Sequence, residues 1–337
     1  MKVALVHDWF SANGGSEKVV AQFIDMFDDI DVFALVDFFT EEDRFVILQG
    51  KRAHTTFIQK LPFAKSNYRS YLPLFPIAIE QFDFTGYDLV ISSSSAIAKG
   101  VLTKVGQPHV CYCHTPMRYA WDFYHLYLEQ NGLKGMGLKS YFVRRSLHNI
   151  RMWDYASSQR VDHFIANSNY IAKRIEKTYG RKAKVIYPPV ATNTFKLVEK
   201  KEDFYLTVCR LVPYKKVEII AEAFSVMPNK TLIIIGEGPE LNRIKRFKGK
   251  NIQILGYQPQ EKLNWYMENA KAFIFAAEED FGIAPIEAQA CGTPVIAFQS
   301  GGTLETVVDG VTGCFFDEQT PQSLVSAIDE LESRYDS

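Results

Sequence analysis

The sequence predicts an α/β fold made of two Rossmann-like, doubly wound domains that face each other. Short apolar runs alternate with amphipathic stretches along the 337 residues, a pattern typical of parallel sheets covered by helices. The alternation runs twice, and a polar segment at 199–203 separates the two series. A chain of this length is long enough to form two domains, each with its own hydrophobic core. We therefore expect an N-terminal domain over residues 1–198 and a C-terminal domain over residues 199–337.

The first series opens with a strand over 2–6, a turn at Asn13-Gly14-Gly15-Ser16 and a helix over 17–26. Further strands of the same sheet are predicted over 31–36, 88–92, 109–113, 163–166 and 184–187. After the polar segment, strands are predicted over 204–208, 231–235, 253–255, 272–275 and 294–297. Helices are expected over 218–224, 260–268, 286–290 and 321–333. Ligands of such folds bind at the carboxyl ends of strands, so the cleft between the domains is the expected site.

Composition indicates an ordinary globular protein of the reducing cytoplasm. The hydrophobic fraction is 47% and the formal net charge is −1, which argues against general nucleic-acid binding. No segment offers the run of about 20 apolar residues that crosses a bilayer, and the N-terminus does not resemble a signal peptide. Five cysteines fit a reducing compartment. Cys111 and Cys113 are expected on one face of a buried strand rather than at a metal.

Two glutamates, Glu279 and Glu287, form the most informative local pattern. The sequence around them predicts a loop, then a helix that Gly292 ends, with Pro285 in the first turn of that helix. At a helix N-terminus, backbone N–H groups lack intrahelical partners and the dipole is positive. The amides concerned are those of Phe281, Gly282 and Ile283. This arrangement suits a polyhydroxylated ligand that carries phosphate, whereas an isolated pair of this kind would usually be a capped surface helix.

Several other landmarks appear in a fixed order along the chain. They are Gly14-Gly15, His114-Thr115-Pro116, Asn167-Ser168, Tyr187-Pro188-Pro189-Val190, Arg210-Leu211-Val212-Pro213-Tyr214-Lys215, Gly236-Glu237-Gly238-Pro239-Glu240 and Gly301-Gly302. Together with the paired glutamates, they resemble the retaining glycosyltransferases of the group 1 / family 4 type, which have the GT-B fold. The likeness covers nearly the whole chain and is greatest to bacterial polysaccharide mannosyltransferases.

Two cations, Arg210 and Lys215, follow a predicted strand, where they suit the charge that develops on a leaving diphosphate. Gly14 and Gly15 allow a close backbone approach to the same group, although an ordinary turn is the alternative. The resemblance further implies that Glu287 binds the ribose and that Glu279 and the amides of residues 281–283 hold the sugar. Tyr257 is a candidate for stacking on the base.

His114 ends a predicted strand, and the resemblance implies that it lies against the transferred sugar. We expect it to support an oxocarbenium-like state by hydrogen bonding and electrostatics, so His114 and Glu279 are the candidate catalytic residues. No metal or other cofactor is expected. Asp29-Ile30-Asp31 has the spacing of a metal-binding pair, but a solvated turn is the favoured interpretation.

The resemblance implies transfer of a hexose, with mannose from GDP-mannose as the first expectation. The acceptor would be a glycan or a polyprenyl-linked oligosaccharide of surface polysaccharide biosynthesis. A UDP-hexose-dependent transferase, a sugar-nucleotide epimerase of the same architecture and a non-catalytic sugar-nucleotide-binding subunit stay open as alternatives.

Aromatic and basic residues mix in the segments 57–84 and 141–153. An apolar face rimmed by Arg and Lys could lie on the inner face of an anionic membrane, while a core-facing helix with solvated charges is the alternative. Relatives usually finish with a long helix that crosses back onto the N-terminal domain. Here the sequence stops soon after the helix predicted at 321–333, so we expect the crossover helix to be absent or truncated.

Overall fold

The computed structural model describes residues 1–135, 137–247 and 249–335. The chain divides into two compact units, Met1–Pro189 and Val190–Ser337. Each unit has its own parallel sheet and its own buried core. The predicted fold class, with two doubly wound α/β domains, is confirmed.

The first unit contains a seven-stranded sheet in the order β3-β2-β1-β4-β5-β6-β7. Its strands are β1 (Val3–His7), β2 (Ile30–Ala34), β3 (His54–Thr55), β4 (Leu89–Ser94), β5 (His109–Cys113), β6 (His163–Ala166) and β7 (Ala183–Val185). Its helices are α1 (Gly15–Met26), α2 (Glu41–Leu48), α3 (Ala64–Asn67), α4 (Phe75–Ile79), α5 (Tyr124–Gln130), α6 (Leu138–Ser158) and α7 (Asn169–Tyr179). The direction in which strands are added reverses between β1 and β4.

The second unit contains a six-stranded sheet in the order β10-β9-β8-β11-β12-β13. Its strands are β8 (Tyr205–Val208), β9 (Leu232–Ile235), β10 (Ile252–Gly256), β11 (Ala272–Phe275), β12 (Val295–Phe298) and β13 (Gly313–Phe316). Its helices are α8 (Val217–Ser225), α9 (Leu241–Ile244), α10 (Gln260–Asn269), α11 (Ile283–Ala290), α12 (Thr303–Thr306) and α13 (Pro321–Tyr335). Here the reversal lies between β8 and β11.

Strands that are buried on both faces form the centre of each sheet. All residues of β1 and all residues of β9 are buried, which explains why these strands read as continuous apolar runs rather than as alternating patterns. Two strands were not predicted. The two residues of β3 are too few to make a pattern, and β13 begins with Gly313 and Cys314, which carry little strand signal.

The segment 190–198 packs on the second unit rather than on the first. The Lys196 N–H donates to Glu268 Oε1 at 2.9 Å, and Phe195 packs against the core of that unit. Along the chain, the boundary between the compact units therefore falls between Pro189 and Val190. This is before the polar segment at which we placed the domain boundary. The prolines before Val190 give the chain its extended exit from the first sheet.

Helix α13 covers the stretch that the sequence predicts as a helix over 321–333. Leu324, Ile328 and Leu331 of this helix are buried in the core of the second unit. Its Glu332 carboxylate accepts a hydrogen bond from the Tyr205 hydroxyl at 2.6 Å and from Lys271 Nζ at 2.7 Å. These contacts hold the helix on β8 and on the start of β11.

A buried ion pair in the first unit joins α6 to the segment that follows β4. Lys99 and Asp154 are both buried and form an ion pair. The second Asp154 oxygen accepts hydrogen bonds from Trp121 Nε1 at 2.7 Å and from the Tyr179 hydroxyl at 2.9 Å. Lys99 Nζ also donates to the Ala96 carbonyl at 2.9 Å. Because both charges have several partners, the pair ties α6 and α7 to the loop that follows β4.

Asp154→Ala should lower the free energy of unfolding by about 3–5 kcal/mol, because it leaves the Lys99 cation buried without its counter-ion. Urea unfolding followed by circular dichroism measures this loss. Asp28→Ala is the matched control, since Asp28 is exposed, and it should change stability by less than about 0.5 kcal/mol. Equal stability of the two variants would contradict a structural role for the pair.

Candidate active site

Lys215 and Glu279 form an ion pair at the strand-order reversal of the second sheet. Lys215 ends a short 3₁₀ turn that follows β8, and Glu279 lies in the loop after β11. Their side chains are 13% and 21% exposed. Burial disfavours the ammonium, but the Glu279 carboxylate outweighs it and raises the pKa of Lys215 above its ordinary value. Lys215 therefore stays a cation where ligands of such sheets bind.

The ends of β8, β9 and β10 are joined by backbone contacts. Gly236 has φ +137°, and a Cβ there would lie 1.9 Å from the Cys209 carbonyl oxygen, so only glycine fits. The Gly236 N–H donates to the Gly256 carbonyl at 2.9 Å. These contacts bring Arg210 and Tyr257 to the same edge of the sheet. Arg210 is exposed, and Tyr257 is 75% exposed.

The loop that carries Glu279 is held by the glycine pair after β12. Glu279 forms a parallel bridge with Gly301, and its carbonyl accepts the Gly302 N–H at 2.8 Å. A Cβ on Gly301 would lie 2.4 Å from that carbonyl. Larger residues at this position would therefore push the Glu279 loop away from Lys215.

Helix α11 begins directly after this loop. Gly282 is its N-cap, with φ +88°, and Ile283 is the first helical residue. Pro285 lies in the first turn and Glu287 farther along the helix, as the sequence predicts. Phe281 is buried, so its side chain anchors the loop and only its backbone can serve a ligand.

His114 of the first unit belongs to a chain of hydrogen-bonded groups. Its Nε2 lies 2.8 Å from Ser93 Oγ. Ser93 Oγ and the Ser93 carbonyl each lie 3.1 Å from His7 Nδ1. His7 Nε2 in turn lies 3.4 Å from Glu17 Oε1. The chain therefore joins the carboxyl ends of β1, β4 and β5 to the first turn of α1.

The two histidines of this chain have opposite pKa shifts. Burial, and after it the charge of His7, lowers the pKa of His114 to about 4. Burial also disfavours a charged His7, but the hydrogen bond and charge of Glu17 outweigh it and raise the pKa of His7. A His7 cation donates from both nitrogens and accepts nothing. The Ser93 hydroxyl is thus directed to donate to His114 Nε2, which favours a neutral His114 ring with its hydrogen on Nδ1.

The N-terminus of α1 differs from a simple anion site. Gly14 is the N-cap in an extended conformation, and Gly15 begins the helix. A Cβ on Gly14 would lie 2.9 Å from Glu17 Oε2, at the end of a side chain that can shift to make room. Phosphate contact by Gly14 and Gly15 stays a prediction.

Sequence reasoning missed Asp8, which fixes the loop after β4. Its two buried oxygens accept the N–H groups of residues 95–98 at 2.6–3.0 Å. Sequence reasoning also missed His7 and Glu17. The available signal was a polar pair, His7-Asp8, at the end of a buried strand that precedes Gly14-Gly15.

The remaining sequence predictions concern metals. Cys111 and Cys113 lie in one buried cluster on β5, as predicted. Asp31 accepts the Tyr87 hydroxyl at 2.8 Å and lies 3.3 Å from Lys2 Nζ. Among the described residues, no three His, Cys, Asp or Glu side chains are grouped so as to hold a metal ion.

Two Rossmann-like units with polar groups at the reversal of each sheet define a two-domain protein of the GT-B class. The protein matches the family described as Glycosyltransferase Family 4 over residues 13–194. It matches Glycosyl transferases group 1 over residues 191–337. The chain therefore belongs to glycosyltransferase family 4, with a C-terminal half of the group 1 type.

Individual relatives are distant. An uncharacterized glycosyltransferase of Methanocaldococcus jannaschii is 28% identical over 200 residues, which are 58% of this chain and 56% of that protein. A GDP-mannose-dependent alpha-(1-6)-phosphatidylinositol monomannoside mannosyltransferase of Mycolicibacterium smegmatis is 27% identical over 195 residues, 49% of this chain and 51% of that protein. The chain thus spans about half the length of these curated relatives.

Solved structures share the fold over nearly the whole chain. Anabaena HepE, crystallised with UDP and glucose, has a TM-score of 0.68 at 20% identity and covers 98% of this chain and 89% of its own. Sucrose-phosphate synthase of Thermosynechococcus elongatus has a TM-score of 0.69 at 16% identity, with 99% and 90% covered. The GT-B fold that the sequence predicts is confirmed.

His114 should titrate with a pKa of about 4, which long-range ¹H–¹⁵N NMR of the histidine rings measures directly. Between pH 6.5 and about 4 the unfolded chain binds a proton at His114 and the folded chain does not. The His114 contribution to stability is therefore complete above pH 6.5 and is lost as the pH falls through this window. His114→Gln assigns the resonance, and a midpoint at the ordinary value would contradict the prediction.

Proposed function

We propose that the protein is a retaining glycosyltransferase that takes a hexose from a nucleoside-diphosphate sugar. The observation that carries the proposal is the Lys215–Glu279 pair at the reversal of the second sheet. A cation and a carboxylate that are partly exposed there provide a partner for the diphosphate and another for sugar hydroxyls. Family membership supports the reaction class.

Each side chain of the second unit has one proposed task. Arg210 and Lys215 stabilise the charge on the departing diphosphate. Glu287 accepts hydrogen bonds from the ribose hydroxyls, and Glu279 holds the transferred sugar together with the backbone at the start of α11. The exposed ring of Tyr257 offers a stacking surface to the base.

His114 acts at the sugar as a neutral group. Its hydrogen on Nδ1 donates to a sugar oxygen and so orients the ring, while a positive charge at this position would oppose an oxocarbenium-like state. Departing phosphate and acceptor share one face of the sugar in a retaining reaction, so the product keeps the anomeric configuration of the donor. We propose no metal or other cofactor for this reaction.

Two donor classes have support. GDP-mannose is the first candidate, because the relative from Mycolicibacterium smegmatis is named as GDP-mannose-dependent. A UDP-hexose is the second, because HepE was crystallised with UDP-glucose. Thermal-shift titration with GDP-mannose, UDP-glucose, GDP and UDP separates them, since the correct donor and its nucleoside diphosphate should both raise Tm.

The proposed acceptor is a glycan or a polyprenyl-linked oligosaccharide at the membrane surface. Helix α6 exposes Leu138, Tyr141 and Phe142 by 80%, 63% and 65%, next to the basic residues Lys139 and Arg145. Such a face suits an anionic interface. Within the described ranges, no helix has both the length and the apolar character that crossing a bilayer requires.

Arg210→Ala and Lys215→Met should each weaken nucleoside-diphosphate binding by roughly tenfold to a hundredfold, because each removes a charge-assisted contact of about 1.5–3 kcal/mol. Isothermal titration calorimetry measures the change. Lys262→Ala is the matched control, since Lys262 is exposed on α10. Unchanged affinity in both folded site variants would remove these residues from the diphosphate site.

Glu287→Gln should mainly raise the donor Kd, whereas His114→Ala should mainly lower kcat, by about a hundredfold to a thousandfold. The reason is that ribose contacts bind ground and transition states alike, while His114 acts at the reacting centre. Steady-state kinetics separates the two effects. NMR of the product anomeric proton should show an α linkage from an α-linked donor, and a β linkage would rule out retention.

A further inference from the structure

A cavity of about 850 Å³ lies in the first unit, a volume in the range of small-molecule sites. Helices α5, α6 and α7 and the segment before α5 line it, and it is open to solvent. Four cations line it, Arg151, Lys173, Arg174 and Lys177, against one carboxylate, Asp122. This is a local concentration of positive charge in a chain whose net charge is −1.

Helix α7 supplies three of these cations on one face. Lys177 lies four residues after Lys173 and three after Arg174, so its side chain projects to the same side of the helix as each of theirs. Ser168 begins the helix by accepting the Ile171 N–H at 3.0 Å, which fixes its first turn. Like charges at this spacing repel each other, and a bound anion would relieve that repulsion.

Arg174 already neutralises the carboxylate of the cavity. Its side chain is 10% exposed, and its Nε lies 2.7 Å from Asp122 Oδ2. Its other nitrogens donate to Thr115 Oγ1 at 3.1 Å and to the Tyr170 hydroxyl at 2.9 Å. In the part of the chain that the structure describes, no carboxylate forms an ion pair with Arg151, Lys173 or Lys177.

Arg151 is held in place by a backbone carbonyl and two aromatic rings. Its Nε donates to the Ala120 carbonyl at 2.7 Å. Its guanidinium carbon lies 4.9 Å from the centre of the Tyr124 ring and 5.7 Å from that of Trp121. These contacts hold the guanidinium plane at the cavity wall, as recognition of a planar or tetrahedral oxyanion requires.

One residue connects the cavity to the candidate catalytic histidine. Thr115, which accepts the Arg174 hydrogen bond, directly follows His114. An anion that binds Arg174 would therefore contact a residue that is hydrogen-bonded to the neighbour of His114.

We propose that this cavity binds the phosphate group of a phosphorylated acceptor, and the proposal rests on the transferase function proposed above. Among the described residues, Arg151, Lys173 and Lys177 have no carboxylate partner. Three such cations match a phosphate ester, which carries about −1.5 to −2 charges at neutral pH, better than a single carboxylate. The volume also accommodates the sugar or prenyl group attached to that phosphate. Soluble sugar phosphates and lipid-linked diphosphates share this chemistry.

Calorimetry with a hexose 1-phosphate, at low and at raised salt, tests the site. Lys173→Gln/Lys177→Gln should weaken binding by roughly tenfold to a hundredfold, and salt should weaken binding to the unmodified protein. Lys182→Gln/Lys184→Gln is the matched control, because it removes the same charge from exposed residues of the first unit. Absence of hexose-phosphate binding at millimolar concentration, or equal losses in both double variants, would overturn the proposal.

A second measurement identifies the source of the phosphate and separates the two proposals. A short-chain prenyl diphosphate that binds much more tightly than the hexose 1-phosphate supports a lipid-linked acceptor, and equal affinities support a soluble one. Nucleoside-diphosphate affinity should stay unchanged in Lys173→Gln/Lys177→Gln. Failure of all nucleotide sugars to bind would contradict the transferase function, whereas the hexose-phosphate titration decides on the cavity alone. Arg151→Gln gives an independent variant if the lysine pair fails to fold.

Discussion

Every strand pair of both sheets is parallel, and this constraint determines where the functional groups of the molecule can lie. Parallel strands require crossovers over the faces of the sheet, so all carboxyl ends open at one edge. Where the strand order reverses, the loops diverge and leave a crevice. His7 and Ser93 are register partners across the reversal of the first sheet. Lys215 and Glu279 lie across the reversal of the second.

The two ion pairs differ in how far solvent reaches them. Lys99 and Asp154 are buried and have additional hydrogen-bond partners. Removing either residue would leave the charge of the other buried and unpaired. Lys215 and Glu279 keep part of their surface in solvent. On the proposed function, a phosphate group could pair with Lys215 while hydroxyl groups donate to Glu279. Neither charge would then be left without a partner.

The sequence was sufficient for the strands other than β3 and β13 and for several of the loops that follow them. Buried central strands are continuous apolar runs, and glycines such as Gly236 and Gly301 mark close backbone approaches that no other residue permits. Helix α11 and its Pro285 follow from local rules alone. Hydrogen bonds between residues far apart in sequence could not be predicted from local patterns. Ser93, for example, lies 86 residues from His7. The same holds for the cavity at α7, whose cations read in sequence as a solvated helix face.

The hydrogen-bonded groups from Glu17 to His114 favour a neutral His114 ring. Burial alone would leave His114 neutral, but the His7 cation behind it adds a charge that resists protonation. Glu17 keeps that cation protonated, with its own pKa lowered by His7 despite burial. The positive charge is thus held on His7, two hydrogen bonds away from His114 through Ser93, and is balanced by the Glu17 carboxylate. On the proposed reaction, His114 can then orient the sugar through a neutral N–H without adding charge repulsion to an oxocarbenium-like state.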